Sequence, residues 1–271
     1  MTIVMSATAM PHLLSGVQLD DLKRSTEIYN SLRNFTDHPE LEQQSPEHVV
    51  ALLKIISHHK MAAMFGIHSL HRHDCISPGM VRLETPLEFF DTPVGTWTKS
   101  TCIGEINPEH THGILYKLVD GQFVPFEFAS GTSPANGVSV SAEFLAEVAT
   151  YFTDNRLQDV FALEIGDFKD RGTGLVTGEF EVQWGDLEAF TVVLPASRLY
   201  SEDTTFIPTG WHVDASHQAN AAPGSSLSDG KTTYAKRTTP VNTHKVFVGS
   251  LEPVTGPNLR AKLVETGFIK D

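Results

Sequence analysis

The spacing of apolar positions divides the chain into a helical opening and a longer β-rich body. From Leu22 the apolar residues Leu22, Tyr29 and Leu32 recur at helical intervals, which predicts a first helix ending near Asn34. A second is predicted to about Lys60: Ser45 suits the N-cap, Pro46 suits the first turn, and Val49, Leu52, Leu53 and Ile56 form one face. Beyond Met64 the pattern changes to short β-branched and aromatic runs broken by Gly, Pro and Asp. Within it, His110 to Val119 and Gln122 to Ala129 flank Asp120-Gly121, a pair suited to a two-residue hairpin turn. A mid-chain helix over about 141–155 is expected behind Ser141, with Phe144, Leu145, Val148, Tyr151 and Phe152 along its buried face. Further strands are predicted over Val160 to Ile165, Gly178 to Trp184 and Ala189 to Leu194. The stretch 195–240, rich in Ser, Thr, Gly, Asp and Pro, reads as long loops with an apolar island over Phe206 to Val213.

Helices and strands do not alternate as a parallel sheet requires. The expected fold is α+β: one domain over 1–271, with helices in 1–60 and a mid-chain helix, around an antiparallel, curved or partly closed, barrel-like sheet.

The net charge of −13 repels phosphate backbones and anionic lipid, so the expected partner is a small molecule rather than nucleic acid or membrane. No apolar stretch approaches the roughly 20 residues a membrane-spanning helix needs. Two cysteines, Cys75 and Cys102, cannot build a disulfide framework, and no convincing signal peptide opens the chain. A cytoplasmic location is expected.

The candidate chemistry lies in the thirteen histidines. Two His-x-His pairs stand out, His71 with His73 and His110 with His112. On a strand, residues two apart share a face about 7 Å apart. Counting outward from Asp120-Gly121 sets Ile114 opposite Glu127 and His112 opposite Ala129, so Glu127 lies diagonally beside His112. Two histidines and a carboxylate are the ligands of non-haem iron and catalytic zinc sites. The expected metal ligands are therefore His110, His112 and Glu127, with His71 and His73 completing or supporting the site, and Glu127, His71 and His73 as catalytic groups. The two pairs are expected to lie close together. His212, Asp214 and His217 form a second, shorter pattern. His12, His38, His48, His58 and His59 read as structural or surface residues, and Cys75 beside His73 is a weak nucleophile candidate. Gly172-Thr-Gly174 lacks the third glycine of a dinucleotide fingerprint.

Gly104, followed after five residues by His110-Thr-His112, matches the first half of the first cupin motif. Tyr116 and Lys117 stand where its glutamate belongs, and Pro208-Thr-Gly210-Trp-His212 is a distant candidate for the second motif, so the likeness is one of ligand logic. A broader likeness rests on Phe65-Gly-Ile-His-Ser-Leu-His-Arg-His73, Val81-Arg-Leu-Glu84, Val124-Pro-Phe-Glu-Phe128 and Leu157-Gln-Asp-Val-Phe161. These segments resemble landmarks of a family of functionally uncharacterised fungal proteins. The resemblance implies fungal origin and points toward specialised metabolism, and it carries no activity or fold with it. Members of that family often carry a Cys/His cluster near the end, whereas this chain has no cysteine after Cys102.

Three functions are compatible with the sequence. The first is a metal-dependent enzyme, oxygenase or lyase, using iron, zinc or copper on a small organic molecule. A metal-free lyase, isomerase or cyclase could instead use His and Glu as acid and base. The third is a non-catalytic small-molecule-binding protein.

Overall fold

A computed structural model describes residues 10, 13, 16–34, 46–168, 177–185, 188–199, 206–213, 234–240, 245–248 and 253–270. Among the described residues the α-helices are α1 (Leu19–Ser31), α2 (Pro46–His58), α3 (Ala142–Asp154) and α4 (Gly256–Glu265). The strands are β1 (Phe65–Ser69), β2 (Met80–Phe89), β3 (Thr92–Cys102), β4 (Thr111–Val119), β5 (Gln122–Ser130) and β6 (Phe161–Ile165), then β7 (Thr177–Trp184), β8 (Glu188–Pro195), β9 (Phe206–Val213), β10 (Tyr234–Pro240) and β11 (Lys245–Val248). Their order is β10-β9-β1-β6-β4-β5-β2-β3-β8-β7-β11, and β10 also pairs with β7, so the sheet curls onto itself as a barrel-like α+β fold. Most pairings are antiparallel; β2–β5, β10–β7 and β11–β7 are parallel.

Local chemistry accounts for the helix boundaries. Ser141 accepts from the Phe144 N–H at the start of α3, and Thr255 accepts from the Asn258 N–H at the start of α4. Asp20 and Asp21 sit in the first turn of α1, favoured by the helix dipole. The α2 cap expected of Ser45 lies outside the described residues. Three described elements lie outside the expected pattern: β10 occupies part of 195–240, where loops were expected, and β11 and α4 follow it. Helix α4 has only two buried apolar positions, Leu259 and Leu263, so its periodicity is faint.

Residues paired directly across neighbouring strands point to one face of the sheet. Glu181 pairs with Thr191, Thr191 with Thr98, and Thr98 with Glu84. Two residues back along β2, Arg82 pairs with Glu127, which pairs with Leu115; Leu115 pairs with Glu164 and Glu164 with Gly66, two residues before His68. The inner face is therefore largely polar around the ring. The apolar residues alternate with them on the outer face, where helices cover them. Phe65, Ile67, Leu163 and Trp211 pack with α2 and α3, and Phe180, Val182, Phe190 and Val192 pack with α4. Helix α1 places Leu22 against Val81 and Phe128 on the outer face, whereas its Ile28, Tyr29 and Leu32 pack with Leu70 and with the inner-face residues Leu115 and Ala162.

The β4–β5 hairpin turns on Asp120 and Gly121, with φ of 51° and 78°, as the two-residue loop requires. Val119 pairs with Gln122 and His112 with Ala129, as the count predicts. Between them the register is corrected: Glu127 lies opposite Leu115, not Ile114, because one irregularity on each strand cancels the other. Pro125, lacking an N–H, interrupts the ladder on β5. On β4 an added Cβ at Gly113 would come 2.5 Å from the Tyr116 hydroxyl, so only glycine leaves room for that ring.

Candidate metal centre in the barrel interior

Strand β1 ends at Ser69, and the chain then turns inward through His71 and His73, both buried. These two histidines are thus not on a strand as expected; Arg72 between them makes an isolated bridge to Asn34. Their rings nevertheless reach one space, with centroids 4.9 Å apart and nearly perpendicular, and His71 stacks on His68 at 5.3 Å. One ligand atom each from His71, His73 and Glu179 lies within 4.8 Å of the other two, a group that could hold a metal ion.

The backbone carbonyl of Ser69 organises the site. It lies 2.8 Å from Nδ1 of His68 and 3.0 Å from Nδ1 of His71. A carbonyl only accepts, so both Nδ1 atoms carry hydrogen, and in the neutral rings both Nε2 atoms keep their lone pairs. Nε2 of His68 lies 3.9 Å from Oε2 of Glu179 and makes no hydrogen bond among the described residues. Nε2 of His73 lies 3.8 Å from Oε1 of the same carboxylate, and Nδ1 lies 3.9 Å from Oε2 of Glu181. Glu179 therefore stands between two imidazoles.

Around this group lies a buried charged network. The Tyr29 hydroxyl donates to Asp74 (3.1 Å) and accepts from the His73 N–H (3.3 Å). Arg82, 1% exposed, donates from NH2 to Thr191 (2.8 Å) and approaches Asp74 at 3.7 Å. Burial, with His73 and His68 alongside, holds the affinity of His71 for a proton well below the ordinary histidine value, so its ring is neutral near pH 7. Burial raises the Glu127 pKa, and Arg82 opposes that rise. Glu127 lies in the electrostatic field of Arg82, Glu179, His68 and His73.

The other expected site residues lie elsewhere. His110 is exposed in a short 3₁₀ turn, Pro108–His110, ahead of β4, so it does not share a strand face with His112. His112 is buried; its Nδ1 donates to the Gly131 carbonyl at 3.3 Å, and burial lowers its pKa. It borders a cleft of about 130 Å³ with Glu84, Glu164 and Asp167 and is not part of the His71, His73 and Glu179 group. His212 is buried on β9 and stacks on Phe168 at 4.5 Å. Asp214, His217, His12 and His38 lie outside the described residues. Consistent with a structural reading, His48 bonds the Tyr151 hydroxyl and His59 bonds Glu147. Cys75 is exposed and free.

Sequence reading missed His68, Glu179, Glu181 and Arg82. The signal for the glutamates is the alternation Glu179, Phe180, Glu181, Val182, which an amphipathic strand facing water would also show. No helix of the described residues is long and apolar enough to cross a membrane. Comparison with protein-family models, curated proteins and solved structures finds no match to this chain.

Proposed function

We propose that the protein is a metal-dependent enzyme acting on a small organic molecule, with His71, His73 and Glu179 as the ligands of a divalent transition metal and His68 as a further donor. The observation that carries this reading is the convergence of the three ligand atoms within 4.8 Å in a buried interior. Donors on a tetrahedral ion with bonds of about 2.1 Å sit roughly 3.4 Å apart, so modest side-chain rotation draws them together. Charge supports the same reading. Asp74, Glu127 and Glu181 lie in the field of the Arg82 guanidinium, and Glu179 in that of Glu127, and an uncompensated buried charge costs several kcal/mol. A divalent cation offsets that excess. The fixed Nδ1–H of His71 orients its other nitrogen as second-shell carbonyls do for metal-bound histidines. Imidazole and carboxylate donors suit zinc, iron(II) and copper alike. Bound there, the metal would activate water or dioxygen, or polarise a carbonyl.

A metal-free acid–base enzyme is the second reading. It is favoured by the opposed environments of Glu127, whose proton is held more tightly than usual, and His71, whose ring is held neutral.

Metal analysis of full-length, tag-free protein separates the two. About one equivalent of transition metal is expected, falling at least about tenfold in His71→Ala and His73→Ala, because a lost ligand weakens the metal more than the scaffold. His110→Ala, on the exposed turn, should leave metal content unchanged. A folded wild-type protein that retains no metal after loading with zinc or iron(II) and dialysis would overturn the metal reading.

A further inference from the structure

Arg82 is a strong hydrogen-bond donor in the polar interior whose capacity is only partly used among the described residues. Arg82 projects inward from β2, and its guanidinium is almost wholly shielded from solvent, at 1% exposure. NH2 is engaged by Thr191. No hydrogen bond among the described residues reaches Nε or NH1, since Asp74, at 3.7 Å from NH1, is beyond hydrogen-bond distance. Buried donors of a charged group that lack an acceptor are costly, and such groups are ordinarily met by a ligand or an ordered water.

Arg82 also lies near a cleft. The cleft of about 130 Å³ is lined by Glu84 and Ala129, which sit two residues beyond Arg82 and Glu127 on the parallel strands β2 and β5 and on the same face. The cleft therefore opens about 7 Å along the inner face from Arg82. An apolar cavity of similar volume can take up benzene, so this space suits a molecule of that size.

The charges decide what kind of acceptor could arrive. The cleft carries Glu84, Glu164 and Asp167, its histidine is neutral, and Asp74, Glu127 and Glu181 lie in the field of Arg82. A carboxylate or phosphate would pass one set of anions and come to rest among another. An uncharged oxygen acceptor meets no such repulsion. We infer that Arg82 is a substrate-binding residue that holds the carbonyl oxygen of a small uncharged carbonyl compound entering past Glu84. This names the substrate class for the interior site proposed above and rests on that reading, although binding at Arg82 does not itself need the metal.

The matched fragments benzamide and benzoate provide the test, because they share a shape and differ in charge. In ¹⁵N-labelled full-length protein, the buried Arg82 Nε–H should give its own resonance. It is identified by its loss in Arg82→Lys or, should that variant not fold, by its displacement in Thr191→Val. Benzamide should displace it in a saturable titration, at least about tenfold more tightly than benzoate, equivalent to roughly 1.4 kcal/mol. No displacement by benzamide, or benzoate binding as tightly, would overturn the inference. The titration is run on chelator-treated and zinc-loaded protein. A silent Arg82 resonance in a protein that still takes up metal refutes only the carbonyl site; a responsive resonance in a protein that takes up none refutes only the metal.

Discussion

His71 shows how little sequence is needed to prepare a ligand. The Ser69 carbonyl, two residues away, fixes its tautomer, and burial keeps its ring unprotonated. Glu127 illustrates the opposite pressure, since its folded-state pKa is raised above 4.5 by burial. A raised pKa means the folded state binds more protons, so the stabilisation from this group is complete below pH 4.5 and is lost as pH rises through the folded value. Glu127→Gln removes that dependence, so its melting temperature relative to wild type should be more favourable at about pH 8 than at about pH 5. His71 runs the other way in both proteins: its pKa is lowered from 6.5, so its contribution is present above that value and is lost on acidification. Because that component is common to both, it cancels in the comparison. Equal differences at the two pH values would remove Glu127 from the buried network.

At the scale of elements, β1 is the strand on which the site depends, since it is flanked by β6 and β9 and delivers His68, Ser69 and then His71 into the interior. Gly66 permits this close packing: an added Cβ would lie 2.8 Å from the Trp211 carbonyl oxygen, a backbone atom that cannot step aside alone. Gly66→Ala should therefore lower stability by roughly 1–3 kcal/mol in chemical denaturation. It should also weaken zinc binding in the folded protein, because β1 and β9 must separate where the His68 and His71 segment begins. Unaltered stability and zinc affinity would show that this contact is slack. The elements were legible where periodicity and turn chemistry agree, as in α2, α3 and the Asp120-Gly121 hairpin. They were illegible where a neighbour decides: the paired irregularities around Ile114 and Pro125 need both strands, and α4 needs the outer face of β7 and β8 to cover. The site divides along the same line. His71, His73 and Glu127 carry local signals, whereas Glu179 and Glu181 arrive from a strand more than a hundred residues away. Their alternation with Phe180 and Val182 is the pattern of a solvent-facing sheet. Only closure of the sheet turns a polar face into an interior.

Closure also gives the molecule as a whole an electrostatic character suited to a cation. The chain carries a net charge of −13, and the cleft leading to the inner face adds Glu84, Glu164 and Asp167 at its border. A negative field raises the local concentration of cations and speeds their capture, and mobile ions screen it over about 10 Å at 0.1 M salt. Once bound between buried donors the metal is screened much less, so salt should act chiefly on the rate of uptake and only weakly on the rate of release. Stopped-flow measurement of zinc uptake by chelator-treated protein should therefore show an association rate that falls severalfold between low and high ionic strength, with dissociation nearly constant. Replacing Glu84 and Asp167 together by Gln and Asn should flatten that dependence, because neither residue belongs to the His71, His73 and Glu179 group. A salt-independent association rate in the wild-type protein would mean that the acidic entrance does not guide the ion. A dependence that survives the double replacement unchanged would assign the steering to the rest of the surface instead.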